Sequence, residues 1–128
     1  MSKKTIITIP NAPAPVAPYS QAVVAHNMLY ASGQVAINPT TGQMVQDSIE
    51  AETHQVMTNV KNLLAAGGVT WDDVVKCTIF LTNLDDYAVV NDVYATYFDR
   101  ATAPARECVQ VSRLPRGARV EISVIAAM

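Results

Sequence analysis

Two alternating runs near the C-terminus, separated by the turn-like Leu114-Pro115-Arg116-Gly117, do most to limit what this chain can become. In the first, Pro104-Ala105-Arg106-Glu107-Cys108-Val109-Gln110-Val111, residues Arg106, Cys108, Gln110 and Ser112 fall on one side of an extended strand, and Val109 and Val111 fall on the other. In the second, Val120-Glu121-Ile122-Ser123-Val124-Ile125, the side chains of Val120, Ile122 and Val124 share a side, leaving Glu121 and Ser123 opposite. Period-two alternation is a strand signal, so this part of the chain must enter a sheet. If the two runs pair and turn their valines to one core, Arg106, Cys108 and Glu121 are expected on one shared face. A guanidinium, a thiol and a carboxylate there fit a small-anion site better than ordinary packing.

The rest of the chain supplies elements to cover that sheet. Thr5 to Ile9 is predicted as a first strand ended by Pro10, and the Pro- and Ala-rich run 10–18 as a loop. Val23 to Gln34 predicts a hairpin turning near His26-Asn27, and Asn38-Pro39-Thr40-Thr41-Gly42 a turn. Ile49, Thr53, Val56, Val60, Leu63 and Leu64 recur at helical spacing from about Ser48 to Ala66, with Gly67-Gly68 as the stop. Val75 to Thr82 alternates as a strand. A second amphipathic helix is predicted from about Leu84 to Asp99, with Asp85 or Asp86 favouring its start. The order β-β-β-α-β-α-β-β predicts an α+β sandwich, a mixed β-sheet with two helices packed on one face. Its other face would carry Arg106, Cys108, Gln110, Glu121 and Ser123, and subunits packing sheet to sheet would bury them.

Composition narrows the function. At 128 residues, with 50% hydrophobic and 16% charged, the chain is long enough for one domain with a sizeable core, and disorder is excluded. A net charge of −2 argues against nucleic acid as the default partner. The balance is uneven, however. All five arginines, Arg100, Arg106, Arg113, Arg116 and Arg119, lie beyond residue 99, against only Glu107 and Glu121 there. Cys77 and Cys108 form no CxxC, and His26 and His54 have no third ligand near, so no metal site is expected. Free thiols and the lack of a signal-like or membrane-spanning apolar run point to a cytoplasmic protein.

Seven short motifs come in order: Pro18-Tyr19-Ser20-Gln21, Ser32-Gly33-Gln34, Asn59-Val60-Lys61, Val74-Val75-Lys76-Cys77-Thr78, Asn91-Asp92-Val93-Tyr94, Pro104-Ala105-Arg106-Glu107-Cys108-Val109 and Arg113-Leu114-Pro115. In register, from about Thr5 to Ala126, they resemble the Rid family of reactive-intermediate deaminases, also called YjgF or liver perchloric-acid-soluble protein. The Arg-x-Cys-Val run marks the deaminase-type members. The resemblance implies a chorismate-mutase-like fold, a homotrimer with sites between subunits, and no cofactor. It also implies hydrolysis of small 2-imino and 2-enamino acids to 2-keto acids and ammonia. Arg106 would then hold the substrate carboxylate and Glu121 would position the attacking water. Tyr19, Asn91, Ser32 and Cys108 would line the cleft, and Gly33 would let backbone approach the ligand. Two positions depart from the pattern: Ala17 stands where many relatives have Gly, and Glu107 where Ser or Thr is common.

Each residue has a plainer alternative. Arg106 could pair with Asp99 or Glu107, and Glu121 with Arg119 or Arg106. Tyr19 could anchor its loop, Ser32 could satisfy a backbone group, Asn91 could be an exposed helix position, and Trp71 could cap the core. Cys108 is expected as a wall residue, since no sequence-local His or Asn would activate it. Two other functions stay open: an RNA-acting protein (endoribonuclease or translation inhibitor) and a non-catalytic trimeric module that binds a small carboxylate.

Overall fold

The computed structural model describes residues 3–10, 15 and 17–128, so part of the Pro-rich run 10–18 lies outside the described residues. Eight elements follow the predicted order: β1 (Thr5–Ile7), β2 (Ala22–Ala25), β3 (Met28–Ala31), α1 (Ile49–Ala66), β4 (Val74–Leu81), α2 (Tyr87–Ala95), β5 (Ala105–Gln110) and β6 (Val120–Ala127). The strands form one sheet in the order β1-β2-β3-β6-β4-β5. All neighbours are antiparallel except β4 and β5. The crossover through α2 makes that pair parallel.

Local chemistry accounts for the boundaries. His26 and Asn27 both take positive φ (51° and 62°), the geometry of a two-residue hairpin turn. Ser48 caps α1 by accepting a hydrogen bond from the Ala51 N–H, 3.0 Å away. At the other end Gly68 turns the chain out with φ 80°. The second helix is shorter than predicted. Leu84–Asp86 and Arg100–Thr102 are separate 3₁₀ turns, each started by a side chain (Asn83, Asp99) that takes a backbone N–H.

The helices cover one face of the sheet. Val56, Met57, Val60, Leu63 and Leu64 of α1 pack with Leu29, Cys77, Ile79, Leu81, Val120, Ile122 and Val124, all fully or almost fully buried. Trp71 packs against this core beside Tyr97 and Phe98.

The two alternating runs do not pair. β4 lies between them, opposite both β5 and β6. Register then sets the faces: Arg106 stands beside Cys77 and Val124, and Cys108 beside Ile79 and Ile122, all toward the helices. Glu121 shares the open face with Phe80 and Val109, so the valines of the two runs do not point to one core. Val109 is 43% exposed.

Candidate active site

Glu121 occupies the open side of β6, next to the point where the chain beyond β3 rejoins the sheet. Gln34 and Ile122 exchange backbone hydrogen bonds (2.8 and 3.1 Å), which sets Gly33 against Glu121. The carboxylate fills the space a side chain at position 33 would need, and a Cβ there would stand 2.7 Å from Glu121 Oε2. Here the lack of a side chain admits the carboxylate. Among the described residues Glu121 has no hydrogen-bond partner; Arg119 pairs with Glu52 instead, at 2.7 Å. Burial pushes the Glu121 carboxyl above its ordinary value. A half-buried, unpaired carboxylate of raised pKa is a chemically available proton acceptor.

Glu121 lines a cleft of about 930 Å³ together with Tyr19, Ser32, Gly33, Gln34 and Arg116. Ser32 does not offer its hydroxyl to that space. It donates to the Ser20 carbonyl at 2.6 Å, and its N–H bonds the Gln21 carbonyl, so it fixes the segment that carries Tyr19. Tyr19 itself is 53% exposed, and much of the loop it could anchor lies outside the described residues.

Arg106 lies apart from this cleft, on the edge strand and toward α2. Its Nη1 donates to Asn91 Oδ1 at 2.7 Å and its Nη2 to the Tyr87 hydroxyl at 2.8 Å. The Cζ sits 4.9 Å from the Tyr94 ring centroid and 5.7 Å from that of Tyr87. Neither Asp99 nor Glu107 pairs with it: Asp99 caps a 3₁₀ turn, and Glu107 is held by Lys76 at 2.7 Å on the open face. Among the described residues two of the five guanidinium N–H groups are committed and three are not.

Burial pushes the Cys77 and Tyr94 groups upward, so both stay neutral beside the charge. Burial also raises the Cys108 thiol, more than the Arg106 charge lowers it. It is a neutral wall group rather than a thiolate.

The expected constellation is thus divided within one chain. Tyr19, Ser32, Gly33 and Glu121 line one cleft; Arg106, Asn91 and Cys108 form a second group on the helix-covered side of the sheet. The expectation that Arg106, Cys108 and Glu121 share a face is corrected, because β4 intervenes and β5 is offset in parity from β6. Asn91 is no bare helix position; it holds the arginine. Tyr87 and Tyr94 complete that holder; Tyr94 closes the Asn91-Asp92-Val93-Tyr94 motif, and Tyr87, Asn91 and Tyr94 have the i, i+4, i+7 spacing of one helix face. Among the described residues no group of three or more His, Cys, Asp or Glu side chains is placed to hold a metal, and no helix is long and apolar enough to cross a membrane.

A mixed six-stranded sheet with two helices on one face, an arginine clamped at its edge and an unpaired carboxylate, Glu121, on its open face defines the class as a small α+β protein. The chain belongs to the endoribonuclease L-PSP family, whose profile matches residues 9–128. It is similar to the 2-iminobutanoate/2-iminopropanoate deaminase of Bos taurus, 43% identical over 123 residues that cover 96% of this chain and 89% of that protein. Its fold matches the Rid-family protein YyfA of Yersinia pestis with a TM-score of 0.93 at 50% identity, over 98% of this chain and 99% of that one. It likewise matches E. coli TdcF with bound serine, with a TM-score of 0.89 at 38% identity, over 97% and 98% of the two chains. The relationship is to the Rid deaminases as a group.

Proposed function

We propose that this chain is a cytoplasmic, single-domain hydrolytic deaminase that converts small 2-imino and 2-enamino acids to 2-keto acids and ammonia. It would work as a homotrimer in which each site joins Arg106 of one copy to Glu121 of the next. One observation carries the assembly: the two groups stand on opposite faces of one sheet, so a single chain cannot bring both to one small substrate. The open face is also partly apolar, with Tyr30 44% and Val109 43% exposed. The similarity to a named 2-iminobutanoate/2-iminopropanoate deaminase supports the reaction.

In this reading Arg106 takes the α-carboxylate through N–H groups left free by Asn91 and Tyr87. Glu121 removes a proton from water as its oxygen adds to the imine carbon. That proton passes to nitrogen, the proton of the new hydroxyl follows it as the C=O bond forms, the C–N bond breaks, and ammonia leaves. Water is the only co-reactant. Asn91 positions Arg106, Cys108 forms a neutral wall, and Tyr19 covers the mouth of the Glu121 cleft.

The test generates 2-iminobutanoate with a dehydratase and follows trapped imine for wild type, Arg106→Ala and Glu121→Ala. Each variant should be inactive alone. Mixed oligomers of the two should regain activity, because some sites then receive both intact residues. No acceleration by assembled wild type would remove the reading, and inactive mixed oligomers would remove the shared site.

A further inference from the structure

The cleft around Glu121 is larger than its proposed small substrates require. Its volume of about 930 Å³ lies at the upper end of the roughly 300–1,000 Å³ that pockets for drug-sized ligands span. Among its lining residues Glu121 is the one carboxylate and Arg116 the one cation. They form no ion pair with each other.

Arg116 is unusual in its placement. It takes the left-handed backbone conformation (φ 59°, ψ 27°) inside the turn Pro115-Arg116-Gly117, and Gly117 follows with φ 68°. A side chain in that region costs free energy, so surrounding contacts must hold the turn. They are present. Gln46 Nε2 donates to the Gly117 carbonyl at 2.9 Å, and the fully buried Glu52 accepts both the backbone N–H and the Nε of Arg119 at 2.7 Å. The turn is thereby pinned to the start of α1.

The guanidinium makes a single hydrogen bond, Nη2 to the Gly42 carbonyl at 3.2 Å, which leaves four N–H donors uncommitted. Arg106 and Arg119 differ: Arg106 is held by Asn91 and Tyr87, and Arg119 is bonded to Glu52. Arg116 is an exposed cation at the wall of the cleft, carried on a pinned turn, with no ion-pair partner among the described residues.

We infer that Arg116 is a second anion anchor and that the cleft accepts dicarboxylic 2-imino acids, with Arg116 binding the side-chain carboxylate. This rests on the deaminase reading above. The α-carboxylate is assigned to the partner subunit's Arg106, so an anion at Arg116 must be a further group on the substrate. A planar guanidinium with free N–H groups suits a carboxylate bound side-on. The chemistry is unchanged: water adds to C2, the C–N bond breaks, and a dicarboxylic 2-keto acid and ammonia form.

An amino-acid oxidase, with catalase to remove peroxide, generates the imine of glutamate in one assay and that of 2-aminobutyrate in another. The measurement is the ratio of kcat/KM for the two imines, in wild type, Arg116→Met and Arg116→Lys. Arg116→Met should lower the dicarboxylic-to-monocarboxylic ratio by about tenfold or more, as expected for a lost charged hydrogen bond, mainly through KM. Arg116→Lys should restore part of it. A ratio unmoved by Arg116→Met, with 2-aminobutyrate imine still hydrolysed by wild type, overturns the inference alone. Failure to hydrolyse either imine overturns the deaminase reading instead.

Discussion

The Glu121 carboxylate stands in the space that any side chain at Gly33 would occupy, with Oε2 2.7 Å from where a Cβ would lie. Gly33 is exposed, so adding a methyl there has little cost to the core, and the flexible carboxylate is the group that must yield. Gly33→Ala should therefore keep its melting temperature while imine turnover falls by about 10- to 100-fold, the scale of an ångström-level misplacement. Wild-type turnover in this variant would mean that Glu121 does not act from the position described.

Tyr87 and Asn91 hold the Arg106 guanidinium through one hydrogen bond each. Tyr87→Phe and Asn91→Ala free the arginine without removing its charge. Each is expected to raise KM about fivefold, equivalent to about 1 kcal/mol, with a smaller change in kcat. Steady-state kinetics on the 2-aminobutyrate imine separate the two parameters. A fall in kcat with KM unchanged would assign these residues to the chemical step.

Glu121 is held above the ordinary carboxyl pKa by burial, with no partner to offset it. The folded chain therefore retains a proton that the unfolded chain releases earlier. This contribution is fully present below the unfolded-state pKa and is lost as pH rises through the folded one. Glu121→Gln should be more stable than wild type at pH 7, by less than about 1 kcal/mol because water reaches half of the group, and the gain should vanish near pH 3. Thermal melts at the two pH values check the sign.

Gly67 ends α1 directly over Leu29, a fully buried side chain of β3. A Cβ on Gly67 would collide with Leu29 Cδ1. Its φ of −85° suits any residue, so the whole cost is steric. Gly67→Ala should lose about 1–3 kcal/mol through overpacking, visible as a lower urea midpoint at constant slope. Gly68→Ala meets nothing within 4 Å but sits at φ 80°, and should lose about 1 kcal/mol through backbone strain.

What the sequence made legible was local. The hairpin turn at His26-Asn27, the helix from about Ser48 to Ala66 and the burial of Val120, Ile122 and Val124 all follow from residue chemistry within a few positions. The faces of β5 were not legible in the same way. Alternation tells which residues of a strand share a side, but not which side the helices cover. That depends on β4 entering between the two runs through long-range pairing. Arg106 and Cys108 were taken for the open face because valine marks a core in most strands. At the sheet's edge Tyr87, Asn91 and Tyr94 of α2 accommodate an arginine on the covered side, and Val109 is left on the open one. The motif residues fall into two groups, and that division is a property of topology. The roles of Tyr87 and Tyr94 are not legible because aromatic residues on a helix usually signal packing, and here they also cradle a charge.

β5 is an outermost strand, and its two central charges, Arg106 and Glu107, point to opposite faces. A strand from another molecule that tried to extend the sheet along this margin would set its own side chains beside a guanidinium on one face and a carboxylate on the other. Both charges already have partners to lose. The residues that bind and neutralise thus also guard the rim of the sheet, so growth by strand addition, the first step toward fibrils, meets a penalty on either face.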